Sequence, residues 1–182
     1  ILYADKTIVP IDVNSKKTEL LSILEYAEVS CIVSSEEYIS TLKSFLSEYQ
    51  YKIQILNIND STVTAINQEK DYILCSDMNI QDKKSNKTAI MLHTSGTTSN
   101  PKRVMLTHDN LINNIESNIS SLQLTKDDTV LIALPMYFGY CNTAQFLTHL
   151  YLGAKIIVLD KRFLPNLFFS VVQSERITNF TG

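Results

Sequence analysis

The sequence predicts an α/β protein with largely parallel sheets flanked by helices. Short apolar runs at residues 29–33, 129–134 and 155–159 read as strands. They alternate with stretches whose apolar residues recur every three or four positions, the period of a helix packed on one face. Strands separated by helices of roughly 12–15 residues need crossover connections, which are right-handed and produce parallel pairing. No internal repeat or low-complexity segment breaks this pattern.

Residues 1–13 read as extended, with Pro10 ending regular pairing locally. Residues 16–28 read as a helix on which Leu20, Leu24 and Ala27 share a face beside Leu21, with Asn14 or Ser15 as the expected N-cap. The apolar run around Cys31 is expected to be a buried strand. Ser34, followed three residues later by Glu37, forms a capping-box pattern. The helix it opens is expected to reach about Tyr49, with Ile39, Leu42, Phe45, Leu46 and Tyr49 as its stripe. Residues 52–58 alternate Ile53, Ile55 and Ile58 around Leu56, the pattern of another strand. Residues 60–87 are polar and poorly periodic and read as a connection, with a short helix or strand at 70–75. The expected organisation is therefore a first α/β half at 1–60, a connecting segment at 61–87 and a second half at 88–182.

The second half opens on the stretch with the most distinctive chemistry. Apolar runs at 89–92 and 104–106 flank Thr94, Ser95, Gly96, Thr97, Thr98, Ser99, Asn100, Pro101 and Lys102. Apolar runs around such a cluster read as strand, loop, strand. An ordinary hairpin needs only two turn residues, so five hydroxyls in one loop call for another explanation. A polyphosphate requires donors on several sides; hydroxyls and the backbone N–H groups of an open turn supply them. Lys102 adds a mobile cation, Gly96 permits close backbone approach, and Pro101 stiffens the far side. Two other phosphate loops are excluded. A Walker A loop needs Gly-Lys-Ser/Thr, whereas Lys102 precedes Arg103 and Val104, and no Gly-x-Gly-x-x-Gly spacing occurs. The plain alternative is a polar surface loop.

Beyond the loop, Thr107 or Asp109 is expected to cap a helix carrying Leu111, Ile112, Ile115, Ile119 and Leu122, with its Asn-rich face solvated. Residues 129–134 read as a buried strand ending at Pro135. A helix is expected over 142–152, terminated by Gly153. A strand at 155–159 follows, then a helix over 166–176 opened by Pro165 as its first residue. Residues 177–180 begin one more strand.

Composition restricts the partners. Over 182 residues the net charge is −3 and dispersed, so nothing points to nucleic acid or an anionic membrane surface. Apolar residues make up 45% and charged residues 19%, a globular balance that supports one medium-sized core region. Cys31, Cys75 and Cys141 are far apart and odd in number. They fit neither a disulfide framework nor a metal cluster, and indicate a reducing compartment, with the cytoplasm as the simplest address. No apolar run of membrane-spanning length and no leader pattern is present in these residues. The chain begins and ends within strand-like patterns and is expected to be a fragment.

The ordered stretch 94–108 resembles the phosphate-loop signature of the adenylate-forming, or AMP-binding, superfamily: acyl-CoA and aryl-CoA synthetases and the adenylation domains of nonribosomal peptide synthetases. The family pattern is Thr-Ser-Gly-Thr-Thr-Gly-x-Pro-Lys-Gly-Val, and Ser99 and Arg103 stand where it has its second and third glycines. Leu134-Pro135-Met136-Tyr137 through Ala154 is similar to the segment where the family often reads Leu-Pro-Met-Phe-His, with Phe138 at the histidine position. The segment around Ile8 through residue 33 resembles the part before the loop, and residues 178–182 the approach to the next pocket strand.

The resemblance implies part of the large N-terminal domain of an enzyme that joins a carboxylate to AMP, releases pyrophosphate and passes the acyl group to a thiol. It implies ATP and Mg²⁺ as cofactors, and CoA or a phosphopantetheinyl carrier protein as acceptor. Thr94, Ser95, Gly96, Thr97, Thr98 and Lys102 would bind phosphate, while Tyr137 and Phe138 would line the acyl pocket unless they are only core packing. It gives no catalytic residue and no metal ligand in this stretch. The family's Tyr-Gly-x-Thr-Glu motif, ribose-binding aspartate motif and C-terminal adenylation lysine are not found in these 182 residues, so the stretch alone is expected to be inactive. Two other readings remain: a non-catalytic nucleotide- or phosphate-binding α/β module, and a partner-binding domain with a degenerate loop. His93, His108 and His149 are expected to be structural, and Arg103 either a further cation near phosphate or a solvated rim residue.

Overall fold

The computed structural model describes residues 6–47, 53–58, 87–93, 103–159 and 164–180. The chain divides into two compact units, one of residues 11–83 and one of residues 1–10 with 84–182. The first residues join the later unit through backbone pairing: Ile8 N–H donates to Ala89 O and Met91 N–H to Ile8 O, each at 2.8 Å.

In the unit of residues 11–83, α1 (Lys17–Tyr26) and α2 (Glu36–Leu46) accompany a parallel pair, β1 (Cys31–Ser34) and β2 (Gln54–Asn57). The core gathers Leu20, Leu24 and Ile32, with Leu42, Phe45, Leu46 and Ile53 packed against it. Each such leucine or isoleucine taken fully from water contributes about 1.5–3 kcal/mol.

Several expectations are corrected here. The N-cap of α1 is Lys16, with no side-chain cap. Asn14 is engaged elsewhere: its N–H and Nδ2 both donate to Asp12 Oδ1, at 2.9 and 3.2 Å, in a turn just before the helix. The Ser34–Glu37 capping box does not form. Ser35 is the N-cap, and its hydroxyl donates to Glu37 Oε1 at 3.3 Å instead of accepting from the backbone. The run at 29–33 is only partly buried; Ile32 faces the core, whereas Val33, on the opposite face of the strand, is 49% exposed. Tyr49 and the expected element at 70–75 lie outside the described residues.

In the other unit, β3 (Thr88–His93) and β4 (Arg103–Thr107) pair antiparallel, followed by α3 (His108–Leu122). Next come β5 (Thr129–Ile132), a π-helical segment (Cys141–Leu147), α4 (Thr148–Leu152), β6 (Lys155–Val158), α5 (Pro165–Glu175) and β7 (Asn179–Phe180). The strands order β6-β5-β7, both pairings parallel, so β5 is central and buried along its whole length. Thr107 caps α3 as expected, accepting from Asn110 N–H at 3.1 Å while Asn110 Oδ1 accepts from Thr107 N–H at 3.1 Å. Leu111 and Ile115 are buried, but Leu122 is 61% exposed. Gln123 turns left-handed and Leu124, 8% exposed, takes the core position. Pro165 opens α5 and Gly153, at φ +70°, ends α4, as their residue types require.

The helix expected over 142–152 is π-helical for its first part. At the junction, Thr148 Oγ1 donates to Thr143 O at 2.9 Å, and His149 Nδ1 donates to Gln145 O at 2.7 Å. A carbonyl can only accept, which fixes the proton on Nδ1. Among the described residues no helix is long and apolar enough to cross a membrane.

Candidate functional site

The candidate site is built on the ends of β3 and β4. Their antiparallel register runs from Thr88↔Thr107 to His93↔Arg103, with an irregularity between Thr88 and Ile90. β3 is held from both directions: Ile8 pairs alongside it, Thr7 Oγ1 donates to Thr88 O at 2.7 Å, and Ala89, Ile90 and Leu92 are buried. Leu111 on α3 joins this cluster, with Ile8, Leu106 and Leu147 against it. His93 and Arg103 therefore bring the two ends of segment 94–102 to one rung of a rigid ladder. Thr94, Ser95, Gly96, Thr97, Thr98 and Lys102 themselves lie outside the described residues, and so does Ser99.

A second element reaches the same strand end. After β5 the chain turns at Pro135, where Phe138 N–H donates to Pro135 O at 3.1 Å, and then enters the helix, where Asn142 N–H donates to Phe138 O at 2.9 Å. Gly139 lies against β3: a Cβ built on it would stand 2.7 Å from Leu92 Cδ1. A residue without a side chain permits that approach with Leu92 left in place. Leu92 immediately precedes His93, so the turn carrying Tyr137 and Phe138 sits beside the end of β3 from which segment 94–102 departs. The two rings are 4.6 Å apart between centroids, tilted by 44°. Phe138 is 47% exposed and Tyr137 half-buried, so they form a partly open aromatic surface.

The histidines divide by position. Both ring nitrogens of His93 are buried at the end of β3. His108 is the first residue of α3, where the capping is done by Thr107. His149 is 1% exposed, and its Nε2 has no hydrogen-bond partner among the described residues. Neither this buried polar position nor the π-helical segment could be read from the periodicity, which both accommodate. Cys141 is fully buried, which pushes its thiol up. Asp128 is held below its ordinary value by the Thr178 hydroxyl, then by Thr125 N–H and hydroxyl; this ties the turn before β5 to the start of β7. Among the described residues no group of three His, Cys, Asp or Glu could hold a metal ion.

Comparison with known proteins gives a consistent picture. The family described as AMP-binding enzyme matches residues 1–182. A mitochondrial malonate–CoA ligase of Xenopus laevis is 28% identical over 153 residues, covering 84% of this chain and 26% of that protein. The chain thus spans about a quarter of the length of that curated relative. Among solved structures, ATP-bound MatB from Rhodopseudomonas palustris superposes with a TM-score of 0.73 at 21% identity, over 96% of this chain and 33% of that one. McyG A-PCP complexed with phenylalanyl-adenylate superposes with a TM-score of 0.72 at 16% identity, over 94% of this chain and 27% of that one. These two structural likenesses concern the fold.

Proposed function

The chain belongs to the AMP-binding enzyme family, and from that premise we propose that its protein activates a carboxylic acid with ATP. A carboxylate oxygen attacks the α-phosphorus, the bond to the β-phosphate bridging oxygen breaks, and pyrophosphate leaves with that electron pair. A thiolate then attacks the acyl carbon and AMP departs. The acceptor is CoA or a phosphopantetheinyl carrier protein; the relatedness to a CoA ligase favours CoA.

The observation that carries this reading is the shared strand end. The rung His93↔Arg103 anchors both ends of the hydroxyl-rich segment, and the Gly139–Leu92 approach sets an aromatic surface beside it. In this reading Thr94, Ser95, Gly96, Thr97, Thr98 and Lys102 grip the β- and γ-phosphates, and Tyr137 and Phe138 line the acyl pocket. Holding the triphosphate so that the carboxylate attacks in line provides most of such catalysis, because phosphoryl chemistry responds chiefly to positioning and charge. Mg²⁺ would accompany the triphosphate and neutralise its charge, the usual way for an ion that keeps its waters. The reaction needs chain beyond these residues, and the stretch alone does not form the adenylate. Three scattered cysteines keep the cytoplasm as its compartment.

The test is ATP–pyrophosphate exchange by the full-length protein with a panel of fatty, aromatic and amino acids. Exchange that depends on one class supports the reading and names the substrate. Tight MgATP binding with no exchange for any acid supports the second reading, a non-catalytic nucleotide-binding module.

A further inference from the structure

Three successive side chains reach backwards from the helix after β5 into the turn before it. Cys141 Sγ lies 3.2 Å from Leu134 O, Asn142 Nδ2 donates to Met136 O at 3.2 Å, and Thr143 Oγ1 donates to Gly139 O at 2.8 Å. The last is the ordinary back-bond of a helical threonine. The other two span 7 and 6 residues, beyond any helical hydrogen-bond spacing, and hold the turn itself. The carbonyl held by Asn142 immediately precedes Tyr137 and Phe138. The Asn142 amide has one orientation open to it, because turning it over would set Oδ1 against the Met136 carbonyl, two acceptors with no proton between them. Its Oδ1 is buried with no hydrogen-bond partner among the described residues, a cost that an apolar residue of the same shape would avoid.

We propose that Asn142 is a positioning residue for the acyl pocket. By holding Met136 O it sets where Tyr137 and Phe138 stand beside the end of β3, and thereby which carboxylates fit. This rests on the carboxylate-activating reading above. Asn142 touches neither ATP nor the reacting atoms; it acts through the turn.

The test uses the full-length protein with Asn142→Leu, which keeps the branching at Cγ and lacks both donor and orphan acceptor. Thr143→Val and Thr143→Ser are the second pair, the serine restoring the hydroxyl that reaches Gly139 O. Amide hydrogen exchange over residues 136–139 reads the turn directly, and pyrophosphate exchange reads selectivity. In Asn142→Leu, amide exchange over 136–139 rises about fivefold to tenfold, the worth of one hydrogen bond. The ratio of kcat/KM between a narrow and a bulky carboxylate shifts by a similar factor, while KM for ATP stays at the unmodified value. Thr143→Val moves the same readouts in the same direction and Thr143→Ser does not. Unchanged selectivity, or KM for ATP and for the carboxylate rising together, overturns the inference while leaving the activating function standing. An unmodified protein without carboxylate-dependent exchange removes that function and this inference with it.

Discussion

Gly139 packs against Leu92 closely enough that a methyl group at residue 139 would stand 2.7 Å from Leu92 Cδ1. Leu92 is 8% exposed at the end of a paired strand, so its side-chain end would have to shift to admit that methyl. This contact sets the aromatic turn against the end of β3.

Gly139→Ala is therefore expected to destabilise the protein. Overpacking costs about 1–3 kcal/mol, and removing a helical glycine returns about 0.5–1 kcal/mol. The net loss is small, since the clash meets the end of a side chain rather than backbone. Chemical denaturation of Gly139→Ala, Leu92→Ala and the double variant checks it. The double variant should lose less than the sum of the singles, because the added methyl occupies space that Leu92→Ala vacates. Strict additivity contradicts the contact.

Thr107 and Asn110 cap α3 reciprocally. Thr107→Ala is expected to cost about 0.5–2 kcal/mol, with Thr107→Ser close to neutral because the hydroxyl is what accepts. The same denaturation experiment reads both, and equal losses would mean that the threonine acts through its methyl group. α3 carries Leu111 into the cluster beneath β3, so the helix start also supports the strand end.

Asp128 titrates below 3.8 in the folded chain because the Thr178 hydroxyl donates to its ionised form at 2.7 Å, aided by Thr125. The unfolded chain then binds the proton more readily, so this contribution is complete above the unfolded value and disappears as pH falls through the folded one. Asp128→Asn should lower stability at neutral pH. Its deficit against the unmodified protein should shrink steadily below about pH 4. A deficit constant down to pH 2 would show that the carboxylate charge is not involved.

Much of the fold was legible because each signal rested on local chemistry. Thr107, Gly153 and Pro165 end or begin helices by requirements that no distant contact alters. The flanks of segment 94–102 were legible from their apolar runs. Misreadings came where a second local option competed: Asn14 bonds Asp12 rather than capping α1, and Ser35 displaces Ser34 at the start of α2. Leu122 fits the helical period, yet the chain reverses at Gln123 and buries Leu124 instead. A π-helix and an α-helix over 141–152 present nearly the same apolar pattern, and only the bonds from Cys141 and Asn142 into the turn show what that segment holds. The aromatic pair at 137 and 138 stood out in the sequence as residues; its place beside β3 depends on Gly139, whose role is invisible without the fold.

In the proposed function, segment 94–102, flanked by His93 and Arg103, grips the triphosphate through Lys102. Calorimetric titration of MgATP into the full-length protein and its Lys102→Ala variant tests it most directly. Binding is expected to weaken by about 1.5–3 kcal/mol in the variant, the worth of a charged hydrogen bond, with the fold unchanged by circular dichroism. Equal affinity in the two proteins would contradict it.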